Sequence, residues 1–148
     1  MSMRQTLEIL EHVSEIATLA GLKGGVDEQS LQFVMGFELD DQRSQVVYVR
    51  NSSAGERMRC ISILSPCLRL KKGLWRGISK DMALDLLRRN EAIRFARYGL
   101  WETDKEALVV ASVDYLLESL DPEDFHHAAF HVAYAADKYE SEHGLDEF

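Results

Sequence analysis

The chain has 148 residues, 46% of them hydrophobic and 28% charged, with a formal net charge of -8 at pH 7. That suits one domain, 1–148, long enough to bury about two thirds of its unfolded surface and too apolar for extended disorder. The acidic balance disfavours nucleic acid as a general partner. No apolar run approaches the roughly 20 residues of a membrane span, and the first ten residues lack the basic-then-apolar pattern of a secretory leader, so the cytoplasm is the expected compartment.

Residues 3–20 place Leu7, Leu10, Val13, Ile16, Ala17 and Ala20 at helical spacing, with Glu8, Glu11 and Glu15 on another face. Gly21 should stop that helix, and Lys23-Gly24-Gly25 reads as a continuing loop. Leu31, Phe33, Met35, Phe37 and Leu39 then alternate strictly, which predicts a strand buried on one face. After a polar turn at 40–44, Gln45 to Arg50 reads as a second strand. A further turn from Asn51 to Glu56 leads to a third, Arg57 to Leu64. Short connections make these three an antiparallel meander, and Pro66, which has no N–H to donate, is expected to close the third.

A short helix opening at Ser79 or Asp81 carries Met82, Ala83, Leu86 and Leu87, with Asn90 read as its left-handed stop. Ile93 to Trp101 and Ala107 to Asp114 form the next strand pair. Asp121-Pro122-Glu123-Asp124 is a helix start: a capping acid, proline in the first turn and acids at the positive end. The apolar stripe Phe125, Ala128, Ala129, Val132, Ala136 and Tyr139 carries that helix to about His143, with Gly144 ending it. The pattern predicts an α+β fold with five strands and three helices in the order α-β-β-β-α-β-β-α.

Cys60 and Cys67 are too few for a disulfide scaffold and too far apart for a CxxC site, so both are expected as free thiols, buried or partly buried. Charge is uneven. Residues 61–100 carry 9 basic and 3 acidic groups, whereas 101–148 carry 2 basic and 13 acidic. Such regions either steer a charged partner or neutralise each other across the sheet.

His127 and His131 stand four apart on the last helix with Glu123 one turn before, a spacing that permits metal ligation. Ala128 occupies the position a catalytic glutamate would take in a His-Glu-x-x-His site, and exposed histidines are the simpler reading. Ser62, Ser65 and Ser112 lack a nucleophile elbow, and Gly24-Gly25 lacks a phosphate-loop pattern. No catalytic residue, metal or cofactor is therefore expected. The segment 67–77 carries more weight, because it interleaves apolar and basic residues between a strand end and a helix. Leu68, Leu70, Lys71, Lys72, Leu74, Trp75 and Arg76 are the candidate partner-binding residues. The alternative is a connector whose Leu68, Leu70 and Trp75 complete the core while its basic groups snorkel outward.

Taken together, the chain resembles the YbjN domain family, which shares its fold with the class I type III secretion chaperones. The resemblance covers about residues 5–143. It is carried by Ser65-Pro66, Leu86-Leu87-Arg88-Arg89-Asn90, Phe95-Ala96-Arg97-Tyr98, Leu108 to Val113, Leu120-Asp121-Pro122-Glu123-Asp124-Phe125 and Ala136-Asp137. It implies a five-stranded antiparallel sheet flanked by helices, as in the type III secretion chaperones, with frequent dimers and no catalytic residues to carry over. The expected function is a non-enzymatic, protein-binding or regulatory role. The alternatives are a chaperone binding an unfolded segment of a client and, third, a metal-binding or enzymatic protein using His127 and His131. A homodimer is expected, because a free sheet edge or an apolar short helix needs cover, with Met82, Leu86, Leu74 and Trp75 as the places to look.

Overall fold

The computed structural model describes residues 1–55, 57–70 and 78–148. Within them α1 spans Met3–Leu19, β1 Gly24–Asp27, β2 Gln32–Glu38, β3 Ser44–Asn51 and β4 Cys60–Leu70. After these come α2 at Lys80–Ala92, β5 at Arg97–Glu102, β6 at Ala107–Leu116 and α3 at Pro122–Glu142. All strand pairings are antiparallel, in the spatial order β1-β2-β3-β4-β6-β5. The α+β class is as the sequence pattern predicts. The strand count is not: the described residues form six strands, and the additional one is the Gly24–Asp27 stretch read above as loop.

The reason lies in the backbone rather than in side-chain pattern. Only Val26 of β1 is even partly buried, so no alternation marks it, but Gly24 to Asp27 pair with Met35 to Gln32. A Cβ on Gly24 would lie 2.6 Å from the Val34 carbonyl oxygen, 2.7 Å from the Phe33 ring and 2.9 Å from the Met35 side chain. Glycine is the residue that permits this approach. Gly24→Ala should therefore cost about 1–3 kcal/mol, read by urea unfolding; an unchanged midpoint would show that β1 contributes nothing to the sheet.

The helices lie together on one face. Ser2 opens α1 with a capping box: its hydroxyl oxygen accepts from the Gln5 N–H at 3.2 Å, and Gln5 Oε1 accepts from the Ser2 N–H at 2.8 Å. The buried stripe Ile9, Leu10, Val13, Ile16 and Ala17 then meets the α3 stripe and the inward positions Phe33, Met35, Val47, Val49, Ile61, Ile63, Val109 and Ala111 in one core. Small residues at 128, 129, 133 and 136 let α3 lie close against its neighbours. The other face of the sheet carries a smaller apolar centre, Leu64, Leu108 and Val110, edged by Tyr48, Trp101 and Phe148. The Arg50 guanidinium sits 4.7 Å above the Trp101 ring there.

Several boundaries differ from expectation: the third predicted strand begins at Cys60 rather than Arg57, and two further differences have a side-chain reason. Pro66 does not close its strand: β4 runs on to Leu70, with a register shift against β6 between Pro66 and Leu68. Proline sits at this irregularity and β4 stays in the sheet through β6, while its pairing with β3 stops at Leu64. Asn90 is not a left-handed stop but an interior residue of α2. Its amide donates to the Tyr98 carbonyl at 3.0 Å and accepts from the Tyr98 N–H at 2.7 Å, so a side chain supplies the partner that edge strand β5 lacks. The chain reverses later, at Phe95, and β5 begins at Arg97 rather than Ile93.

The cysteines are free, Cys60 partly buried and Cys67 fully so, with the Cys67 thiol donating to the Val109 carbonyl at 3.2 Å. Burial pushes that thiol well above its ordinary range. The basic middle and acidic end do pair: Arg69 bridges Glu106 and Glu147, and Arg89 reaches Glu142 at 2.5 Å. Among the described residues, no helix is long and apolar enough to cross a membrane.

Candidate contact surface

Asp121 fixes where α3 starts, because its carboxylate accepts from the Asp124 N–H at 2.8 Å, with Pro122 and the acids Glu123 and Asp124 in the first turn. With Phe125, Val132 and Tyr139 facing the core, the helical repeat carries Phe130 and Tyr134 to the outer side. Phe130 is 42% exposed and Tyr134 52%, so neither ring is there to fill the interior. They are one turn apart and stacked, with centroids 6.3 Å apart and planes at 19°. Edge to face with Phe130 at 5.9 Å comes His131, which stacks in turn on Phe95 at 5.0 Å.

Phe95 is held there by an unusual backbone. It leaves α2 through a tight turn in which the Ala96 N–H donates to the Arg94 carbonyl at 2.8 Å, with Phe95 at φ 65°. For a residue with a bulky side chain that conformation costs about 1–3 kcal/mol. The ring is 55% exposed, so its burial does not offset the strain. Four contacting rings thus form an open aromatic strip across α3 and the α2–β5 turn.

At one end the strip falls into a notch lined by Glu38, Leu39, Asp40, Phe130, Tyr134 and Asp137. Two ring faces with carboxylates beside them suit a basic side chain, which gains both charge pairing and cation–π attraction. The notch's rear wall is fixed, because the Arg43 guanidinium lies 2.6 Å from Asp137. Arg43 also stands 3.9 Å from the inaccessible Glu140 and 3.8 Å from Asp146, filling the cation's place among three converging carboxylates.

The residues singled out from sequence fall differently. Leu68 and Leu70 are buried in the core through β4. Lys71, Lys72, Leu74, Trp75 and Arg76 lie outside the described residues, as does Glu56 of the second turn. Leu86 is covered by the chain's own core, and Met82, partly buried, packs against it. His127 stands 3.9 Å from Glu123, and His131 stacks on Phe95 in the aromatic strip. Phe130 and Tyr134 went unnoticed in the sequence. The available signal was two large aromatics spaced i, i+4 and displaced from the apolar stripe of their helix. No protein-family model matches the chain, and no curated protein matches it significantly.

Proposed function

We propose that this chain is a non-enzymatic, cytoplasmic protein-binding or regulatory protein of the YbjN type, built on the secretion-chaperone-like fold and working by contact through the aromatic strip of α3. The observation that carries this reading is the open run Phe95, His131, Phe130 and Tyr134, held in part by a strained backbone that fills no core. Aromatic side chains are enriched at interface centres, and exposed ones that touch each other in a soluble protein mark contact sites. The notch beside them favours a partner presenting a lysine or arginine next to apolar residues. The segment carrying Trp75 is a second contact in this reading. A homodimer would be joined elsewhere than at Leu86, which is already covered.

Wild type, Phe130→Ser/Tyr134→Ser and Trp75→Ala serve as baits in native lysate, with quantitative mass spectrometry of what each retains. The double variant should lose a specific partner at least 10-fold, about the effect of one interface hot spot. Its melting temperature should stay close to that of wild type, because both rings are exposed. Equal retention by wild type and the double variant would remove the strip from the proposal.

A further inference from the structure

β3 and β4 pair only where Tyr48 to Asn51 face Leu64 to Ile61. Beyond Leu64 the two strands part, and the stretch of β3 from Gln45 to Val47 is left with β2 alone. Gln45 spans the parting: its buried amide donates to Ser65 Oγ at 2.9 Å and to the Pro66 carbonyl, and the Ser65 hydroxyl donates to the Val46 carbonyl at 2.6 Å. The Val46 N–H finds no partner on β4. It donates instead to the carbonyl of Phe148 at 2.9 Å, from a segment that leaves α3 through Gly144 at φ 70°.

The way residues 145–148 sit here defines what the gap recognises. Glu140 Oε1, inside the fold, accepts the N–H groups of Glu147 and of Phe148, the latter at 3.1 Å. Arg43 donates to the Leu145 carbonyl at 2.7 Å. These are main-chain contacts that any extended segment can make. Two further contacts read side chains. Arg69 donates to the Glu147 carboxylate at 2.8 Å and lies 5.5 Å from the Phe148 ring, and that ring packs on Leu64, Leu108 and Val110. Among the described residues, Gln45 Oε1 and Glu140 Oε2, on residues that are 1% and 0% exposed, have no hydrogen-bond donor, and Arg43 stands 3.9 Å from Glu140 Oε2. Buried acceptors left this way each forgo a favourable bond.

We propose that the parting between β3 and β4 is a receptor site for an extended segment of a partner protein, one carrying a carboxylate followed directly by an aromatic residue. Residues 145–148 occupy it in cis and are displaced when the partner binds. The site adjoins the notch of the aromatic strip at Arg43 but uses none of the four rings, and it stands or falls without them. Arg69, which also pairs with Glu106, provides the cation that faces the carboxylate of the segment. A tethered occupant acts at an effective concentration of the order of millimolar, so wild type should bind such a segment weakly until its own is removed.

The test uses the full chain and a fluorescein-labelled peptide of residues 144–148, with anisotropy as the readout. Glu147→Ala/Phe148→Ala should bind the peptide at least 10-fold more tightly than wild type, and adding Arg69→Glu should weaken it at least 10-fold again. A double variant that keeps the wild-type circular dichroism and melting temperature, yet shows no gain in affinity, overturns the proposal. So does binding indifferent to Arg69→Glu. Should the double variant misfold, wild type labelled with fluorophenylalanine at position 148 decides. Saturating unlabelled peptide should move the 148 fluorine signal to its solvent-exposed position, and a signal that does not move overturns displacement.

Discussion

Arg43→Ala should cost about 3 kcal/mol of folding stability, the usual consequence of removing one partner from a largely buried ion pair. The side chains of Arg43, Asp137 and Glu140 are only 21%, 15% and 0% exposed, and Arg43 is the cation among three carboxylates that converge at the end of α3. Without the guanidinium, Glu140 and Asp137 face each other in a site that water reaches poorly. Burial already pushes the Glu140 carboxyl up from its ordinary range, against the opposing pull of the Glu147 and Phe148 N–H groups and of Arg43.

The sign with pH follows from that direction. A carboxyl raised in the folded state contributes stability that is fully present below its unfolded pKa and is lost as pH rises through its folded value. Neutral pH is therefore the costly side for Glu140, and losing Arg43 raises the group further. The deficit of Arg43→Ala should be largest near neutrality and shrink on acidification, as guanidinium titrations at about pH 7.5 and about pH 4.5 would read. Glu140→Gln removes one charge but keeps an acceptor for the two N–H groups, so Arg43→Met/Glu140→Gln should regain part of the loss, the remainder reflecting Asp137 left without its cation. A deficit independent of pH would mean that Arg43 acts by packing alone.

Phe125→Ala should cost about 3–5 kcal/mol, because the ring is 0% exposed in the first turn of α3 and no neighbour can refill the space fully. Against the 5–15 kcal/mol total of a typical domain that is a large share. Phe130→Ala, five residues on along the same helix, should change stability by about 0.5 kcal/mol or less, since it removes an exposed ring. Measuring both by thermal unfolding separates the two sides of α3: equal losses would contradict the placement of Phe130 at the surface.

Much of this organisation was legible from residue order. Asp121 with Pro122 and the stripes of α1 and α3 declare their helices through local capping and a 3.6-residue repeat. Phe33 and Met35 declare β2 by strict alternation. β1 was hidden because two of its four residues are glycine and its partner is main chain. Pro66 misled because a rule about donors says where a ladder is weakened, not which neighbour the strand will keep.

The contact features belong to tertiary structure. Phe130 and Tyr134 become a surface only when the alanine side of α3 is pressed to the sheet, and Phe95 joins them from an element more than 30 residues away. Glu140 reads as one more acid near a helix end until packing seals it beneath the last residues of the chain, where its charge requires Arg43 from the other end of the sequence. The sequence by itself determined the three helices, the other five strands and their apolar sides, because those depend on neighbours a few residues away, whereas β1 depends on its pairing with β2. Which strands pair, where β3 and β4 part, and which polar groups lose water were decided by the folded arrangement alone, since each depends on groups far apart in the chain.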